Sequence, residues 1–120
     1  MFFEIERDSL LEGLSKTVPI TEKRSTLPIL SHILINALNS EKLIITATDL
    51  EVGLQMYYTC IVKEPGSLTV PARKVYEIVR ELAPGQITVQ EIESRRIKIV
   101  SDKSEFELSG MDAADYQVWV

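Results

Sequence analysis

The sequence has very little of what cross-links or metals would need. It contains one cysteine, Cys60, and one histidine, His32, among 120 residues. A single thiol cannot form an intrachain disulfide, and this usage is typical of the reducing cytoplasm. Cys60 is therefore expected to be a small strand residue. Because no cysteine or histidine lies in a metal-ligand spacing, neither a metal nor a cofactor is expected.

Long apolar runs and phosphate-binding loops are also missing. No segment approaches the ~20 apolar residues of a membrane span. The first six residues include two glutamates, whereas a secretory signal begins with basic residues. The five glycines are scattered among turns, so no glycine-rich phosphate loop is present. These features argue against membrane and nucleotide-binding classes.

Positive charge is in short supply. The 13 Lys and Arg residues face 18 Asp and Glu residues, giving a net charge of −5. Because nucleic-acid-binding domains are usually basic, this balance alone argues against tight DNA binding. It still allows a protein whose cations are gathered on one face. The length and the 45% hydrophobic content suit one compact domain.

One segment, residues 72–82, has the clearest pattern. Pro71 stands where a first-turn proline is tolerated. The apolar stripe of the predicted helix, at i, i+3, i+4 and i+7, consists of Val75, Ile78, Val79 and Leu82. Arg73, Glu77 and Arg80 lie on the opposite face.

The order of elements before this helix recurs after it. The first half is predicted as a strand around residues 3–5, a helix over 8–18 ended by Pro19, and strands over 32–38, 43–48 and 51–62. The second half repeats this order, with strands over 68–70, 87–92, 96–100 and 105–109 around the second helix. The repeat predicts an α+β fold with both helices on one face of a continuous, mainly antiparallel sheet.

Basic residues near the two helices are the first candidate site. Arg73, Lys74 and Arg80 belong to the second helix, and Arg24 follows the first helix, which the repeat places alongside. Such a surface would suit contact with phosphates without base reading. The alternative is a solvated helix face with i,i+4 pairs such as Arg73 with Glu77.

The last predicted strand is the second candidate site. Phe106 and Leu108 alternate there with Glu105 and Glu107. If the two apolar side chains project from a sheet edge, that edge would need a partner. The alternative is that both face the helices.

Evidence for catalysis is thin. Asp49 and Glu51 are two residues apart and could form an acid–base or metal-binding pair. The alternative is a turn acid followed by a solvated strand residue. Ser67, Ser101 and Ser104 have no histidine placed to activate them.

Four motifs together carry a family resemblance. They are RSTLPIL at 24–30, TDLE at 48–51, TVPARK at 69–74 and AADY at 113–116. In this order and spacing the chain closely resembles the N-terminal domain of the bacterial DNA polymerase III beta subunit family, the replicative sliding clamps.

The resemblance implies a DNA-clamp fold and a non-catalytic function. In that family, three such domains form a subunit, and two subunits close head to tail into a ring around duplex DNA, with helices lining the hole. The ring tethers the replicative polymerase. The family's DNA-contacting arginines match Arg24 and Arg73. Its contact with the third domain of the other subunit matches Phe106 and Leu108.

The resemblance also has limits. The family often has a proline where this chain has Gln117, and the sequence stops at Val120. Residues 1–120 are therefore expected to be a first domain, with the second and third domains absent. The family's pocket for polymerase and clamp-loader peptides belongs to those missing domains. The main rival is an α+β protein-interaction module that does not contact DNA, as the net acidity and the possible exposed edge would allow.

Overall fold

A computed structural model describes residues 1–21 and 28–116 of the chain. Within these residues there are two α-helices, nine β-strands and three short 3-10 turns. The helices are α1 (Arg7–Thr21) and α2 (Ala72–Glu81). The strands are β1 (Phe2–Glu6), β2 (His32–Leu38), β3 (Lys42–Thr48), β4 (Gly53–Thr59), β5 (Ile61–Glu64), β6 (Gly66–Pro71), β7 (Gln86–Ile92), β8 (Arg96–Val100) and β9 (Glu105–Ser109). Neither helix in this part of the chain is long and apolar enough to cross a membrane.

The strands form two antiparallel sheets. One has the order β5-β1-β7-β8-β9 and the other β4-β3-β2-β6. The α+β class is confirmed, but the prediction of one continuous sheet is wrong. Alternation along a strand tells which side chains face the core, and it does not say which strand lies alongside.

The two halves of the chain exchange their first strands. β1 pairs with β7 of the second half, which places Phe3 opposite Val89, and β6 pairs with β2 of the first half, which places Leu68 opposite Ile35. All four side chains are buried. Each sheet therefore needs residues from both halves, and one core is shared by the whole domain.

The two helices pack side by side, as predicted. α1 contacts α2 as well as strands of both sheets, including β1 and β3. The Arg7 N–H donates to the Gly85 carbonyl at 2.8 Å, which places the start of α1 beside the segment that follows α2. The helices are therefore antiparallel. The predicted stripe of α2 is largely buried, and Val79 in it is fully enclosed, as is Leu14 of α1.

Helix α1 does not end at Pro19, which corrects the predicted boundary. The helix includes Pro19 and continues to Thr21. Proline removes one N–H from the last turn, yet that turn stays anchored because Val18 and Thr21 are buried. The Thr21 hydroxyl also donates to the Val18 carbonyl at 2.8 Å.

Cys60 is where the chain passes from one sheet to the other. The single strand predicted over 51–62 is in fact β4 and β5, separated by this residue, and β5 pairs with β1. The Cys60 N–H donates to the Glu41 carbonyl at 3.1 Å, outside the β3–β4 ladder. Alternation continues through the break, so the sequence pattern does not show it. Cys60 is buried, but it lies between two strands and not within one, which corrects its prediction as a strand residue.

Burial disfavours the charged form of this thiol. Desolvation, assisted by the nearby Glu41 carboxylate, raises the pKa of Cys60 from 9.0 to about 11. The thiol is therefore protonated at neutral pH and is a poor nucleophile. Its role is packing at the sheet crossing.

The shifted pKa of Cys60 predicts a loss of stability at high pH. Because folding raises this pKa, the stabilisation is complete below the unfolded value near 9.0 and is lost as pH rises toward about 11. The free energy of unfolding, measured in urea from pH 8 upward, should fall across this window. In Cys60→Ala the fall should be shallower, although the variant is less stable at every pH. Parallel curves for both proteins would contradict the assignment.

The strand exchange predicts that neither half folds alone. Fragments 1–65 and 66–120 should each lack a cooperative thermal transition, because each lacks the partner strand of its own meander. An equimolar mixture should recover such a transition in circular dichroism, with the intact chain as reference. A fragment that melts cooperatively by itself would contradict the shared core.

Candidate functional site

The exposed faces of the two helices form one surface, here called the helix surface. Its charged residues are Asp8, Glu12 and Lys16 of α1 and Arg73, Lys74, Glu77, Arg80 and Glu81 of α2, all exposed. These charged residues alternate at helical spacing with the buried apolar residues of each helix. Because the apolar side packs in the core, the charged side chains face solvent. On α2, three cations face two carboxylates, in contrast to the chain as a whole, which has a net charge of −5.

Arg73 is exposed on the first turn of α2, as the pattern predicted. Its Nε lies 3.5 Å from Oε2 of Glu77, one helical turn along. An exposed pair of this kind contributes roughly 0–1 kcal/mol. An anion arriving from solvent can therefore replace the glutamate at little cost. The start of a helix also favours anions through its dipole, and Pro71 provides no side-chain cap there.

Arg80 lies two turns further along α2. Its guanidinium carbon is 5.3 Å from the centroid of the Tyr76 ring, a cation–π distance. The ring supports the guanidinium from one side. Lys74 is exposed beside Arg73.

Arg24 lies outside residues 1–21 and 28–116, so the structure does not place it. Thr21 ends the described part of α1, and in the antiparallel pair this end of α1 lies beside the start of α2. The proximity of Arg24 to Arg73 stays a prediction.

The β9 strand is an edge of its sheet and pairs only with β8 among the described strands. Phe106 and Leu108 stand opposite the buried Ile99 and Ile97, and side chains that face each other across strands share a face of the sheet. Both therefore point to the helix side of the sheet, as the alternative interpretation held. They are nevertheless incompletely covered, and Phe106 is 38% exposed.

A groove of about 680 Å³ runs between α2 and β9. Phe106, Leu108 and Ile78 supply its apolar lining. Its other lining residues are Pro71, Lys74, Glu77, Glu81, Arg96, Glu107 and Ser109. Ile78 was predicted to pack in the core, but it is only half-buried because it lies at the side of α2 where β9 begins. The open edge and the apolar groove are one continuous surface.

Asp49 and Glu51 do not form a catalytic pair. The Asp49 Oδ1 accepts hydrogen bonds from the backbone N–H groups of Glu51 at 2.9 Å and Val52 at 2.7 Å. Its carboxylate therefore closes the β3–β4 turn, and Glu51 extends into solvent. The turn interpretation of this pair is correct.

His32 is a buried structural residue. The Thr69 hydroxyl donates to the Met111 carbonyl at 3.1 Å, so the His32 Nδ1, also 3.1 Å away, is assigned as donor to the Thr69 oxygen. Burial lowers the pKa of His32 below its usual value, and hydrogen bonding to Thr69 opposes this effect. The imidazole links β2, β6 and the segment after β9.

Sequence reasoning overlooked Lys16. It is exposed on α1, two turns along from Asp8 on the same face. Its position on the helical wheel could have placed it on the helix surface. Its position relative to α2 depends on the antiparallel packing, which periodicity does not give.

The chain matches a known family over nearly its whole length. Residues 1–119 match the family model described as "DNA polymerase III beta subunit, N-terminal domain". Proteins named "Beta sliding clamp" are similar to it: one from Pseudomonas aeruginosa is 35% identical over 117 residues, and one from Escherichia coli K12 is 37% identical over 117 residues. Each alignment covers 97% of this chain and 32% of the relative. The chain thus spans about a third of the length of these relatives.

Solved structures give the same result. The Caulobacter crescentus DNA polymerase sliding clamp superposes with a TM-score of 0.89 at 35% identity, covering 96% of this chain and 31% of that one. A putative DNA polymerase III beta subunit from Eubacterium rectale superposes with a TM-score of 0.91 at 27% identity, covering 98% of this chain and 32% of that one. The DNA-clamp fold is therefore confirmed. The chain belongs to the DNA polymerase III beta subunit family and corresponds to its N-terminal domain.

Proposed function

We propose that this chain is the first domain of a sliding clamp, a ring that encircles duplex DNA and tethers a replicative polymerase for processive synthesis. The observation that carries the proposal is the helix surface: two adjacent helices present cations on one side of an otherwise acidic domain. Family membership and relatives named as beta sliding clamps support it. Two further domains, of similar size, would complete each subunit.

Arg24 and Arg73 are the proposed DNA contacts, and phosphates are their targets. Arg73 is exposed, and its surface pair with Glu77 is of a kind that contributes little to stability. Contacts of this kind bind any sequence, and their strength depends on salt because each one releases counterions. Weak, sequence-independent contact is what a ring that slides along DNA requires.

The ring would be a tether and not a catalyst. Of the two acids suggested for catalysis, Asp49 uses its carboxylate in its own turn, and Glu51 is exposed. The polymerase and the clamp loader would bind through the second and third domains, which this sequence does not include. A replication clamp of this kind would act in the cytoplasm.

The β9 edge is the proposed contact between subunits. Phe106 and Leu108, partly open to solvent along the groove beside α2, would insert into the third domain of the neighbouring subunit. The two surfaces differ, so a head-to-tail ring closes only when each subunit carries both. Strand pairing along the edge would add backbone hydrogen bonds.

The second candidate function is a protein-interaction module without DNA contact. The apolar groove between α2 and β9 and the net charge of −5 favour it. DNA binding separates the two functions, because an interaction module would retain its partner contact at the edge and show no salt-dependent affinity for duplex DNA.

Substitution of the arginines should weaken DNA binding equally on all sequences. In the full-length subunit, Arg24→Ala or Arg73→Ala should lower the slope of log Kobs against log salt by about one unit for each lost phosphate contact. Fluorescence anisotropy with two unrelated duplexes measures both quantities. Unchanged affinity and slope in the double variant would refute the assignment.

Substitution at the β9 edge should open the ring. Burial of a large apolar side chain contributes roughly 1.5–3 kcal/mol, and less for side chains already half-buried. In the full-length subunit, Phe106→Ala combined with Leu108→Ala should therefore shift the dimer to monomer in sedimentation experiments. Ile61→Ala, at the opposite edge of the same sheet and 46% exposed, is the matched control and should keep the dimer. A dimer that resists the double substitution would place the interface elsewhere.

A further inference from the structure

The antiparallel packing of α1 and α2 sorts the charges of the helix surface into two ends. The start of α1 lies beside the segment after α2, as the hydrogen bond from Arg7 to Gly85 shows. The end of α1 therefore lies beside the start of α2. Lys16 belongs to the end of α1, and Arg73 and Lys74 belong to the start of α2. These three cations therefore share one end of the helix surface, here called the basic end.

Helix geometry places Lys16 and Arg73 at similar heights. Lys16 is nine residues beyond the start of α1, or about 13.5 Å along its axis, and Arg73 is eight residues before the end of α2, or about 12 Å. Packed helix axes lie about 8–10 Å apart. The two cations are therefore neighbours across the helix pair, within reach of one stretch of duplex backbone.

The opposite end of the helix surface has no net positive charge. Asp8 lies there with the Arg7 guanidinium 3.3 Å from its carboxylate, and at the end of α2 Arg80 is followed by Glu81. Between the ends, the Glu12 carboxylate accepts a hydrogen bond from the Tyr58 hydroxyl at 2.8 Å. Lys16, by contrast, forms no ion pair with any residue in 1–21 or 28–116. Its charge is available to an external anion.

We infer that Lys16 is a further phosphate contact and that DNA touches this domain at the basic end of the helix surface. The inference rests on the proposed function, since it names a residue and a position within the same site. Lys16 supplies the contact from α1, and Arg73 supplies the contact from α2. The opposite end, where Asp8 and Glu81 balance Arg7 and Arg80, offers the duplex no excess of cations.

The test uses the 120-residue chain and a short duplex of mixed sequence, followed by NMR chemical shifts at several salt concentrations. Concentrations of roughly 1 mM exceed the ~10⁻⁴ M scale of weak non-specific binding. Shifts should concentrate at residues 14–20 and 72–76 and be small at 7–11 and 79–82. Lys16→Ala should lower the salt slope by about one unit, and Lys16→Arg should retain it.

Lys42→Ala is the matched control. Lys42 is exposed at the start of β3, and because the next residue, Leu43, faces the core, Lys42 faces away from the helices. The variant has the same change in net charge as Lys16→Ala but should keep the wild-type slope.

The possible outcomes separate this inference from the proposed function. If Arg73→Ala lowers the slope and Lys16→Ala behaves like Lys42→Ala, Lys16 is not a contact, and the proposed function stands. Equal losses in all three variants would show that net charge alone governs binding and would also overturn the inference. A wild-type chain that shows no shifts with DNA would overturn the inference, whereas the salt slope of the full-length subunit decides the proposed function.

Discussion

The exchange of first strands between the two halves is the constraint on which the rest of the fold depends. β1 completes the sheet of the second half, and β6 completes the sheet of the first half. Each helix follows a strand that lies in the other half's sheet, so its apolar stripe reaches a core built by both halves. The helices then meet side by side and antiparallel. The helix surface is thus a consequence of strand pairing, although its charged residues contribute little to the core.

Two sheets have four edges, and exposed edges tend to pair with other chains unless they are protected. The β6 edge is covered because Thr69 exchanges two backbone hydrogen bonds with Met111. β5 is only four residues long, and Lys63 on it pairs with Glu4 at 3.3 Å. β9 pairs only with β8 among the described strands, and its Phe106 is 38% exposed. Among these three edges, β9 is the one suited to a partner.

The sequence predicted the elements better than their assembly. The bounds of β2, β8 and β9 match their predicted ranges, and α2 differs by one residue, because side-chain periodicity is a local property. Sheet partners are set by long-range contacts, which explains why the prediction of one continuous sheet was wrong. The sequence pattern missed the boundary between β4 and β5 at Cys60 and the continuation of α1 through Pro19. At each position, buried contacts override the local sequence preference.

The candidate site shows the same division. The sequence pattern correctly predicted that Arg73 is exposed and that Phe106 and Leu108 lie on an edge strand. It could not show that α2 leaves a groove beside β9, since that depends on how far the helix covers the sheet. The roles proposed for these residues come from the resemblance, because an exposed arginine looks the same in sequence whether it contacts phosphate or water.

The weak electrostatics of the domain suit the proposed sliding. Tight phosphate contacts would hold a ring in place, whereas the exposed pair of Arg73 with Glu77 is of a kind that contributes roughly 0–1 kcal/mol. The net charge of −5 adds a second constraint, since a net negative charge repels an anionic duplex unless cations are gathered on one face. Such repulsion is screened over about 8 Å at physiological salt. A domain can therefore be acidic overall and still have one face on which a duplex rests and moves.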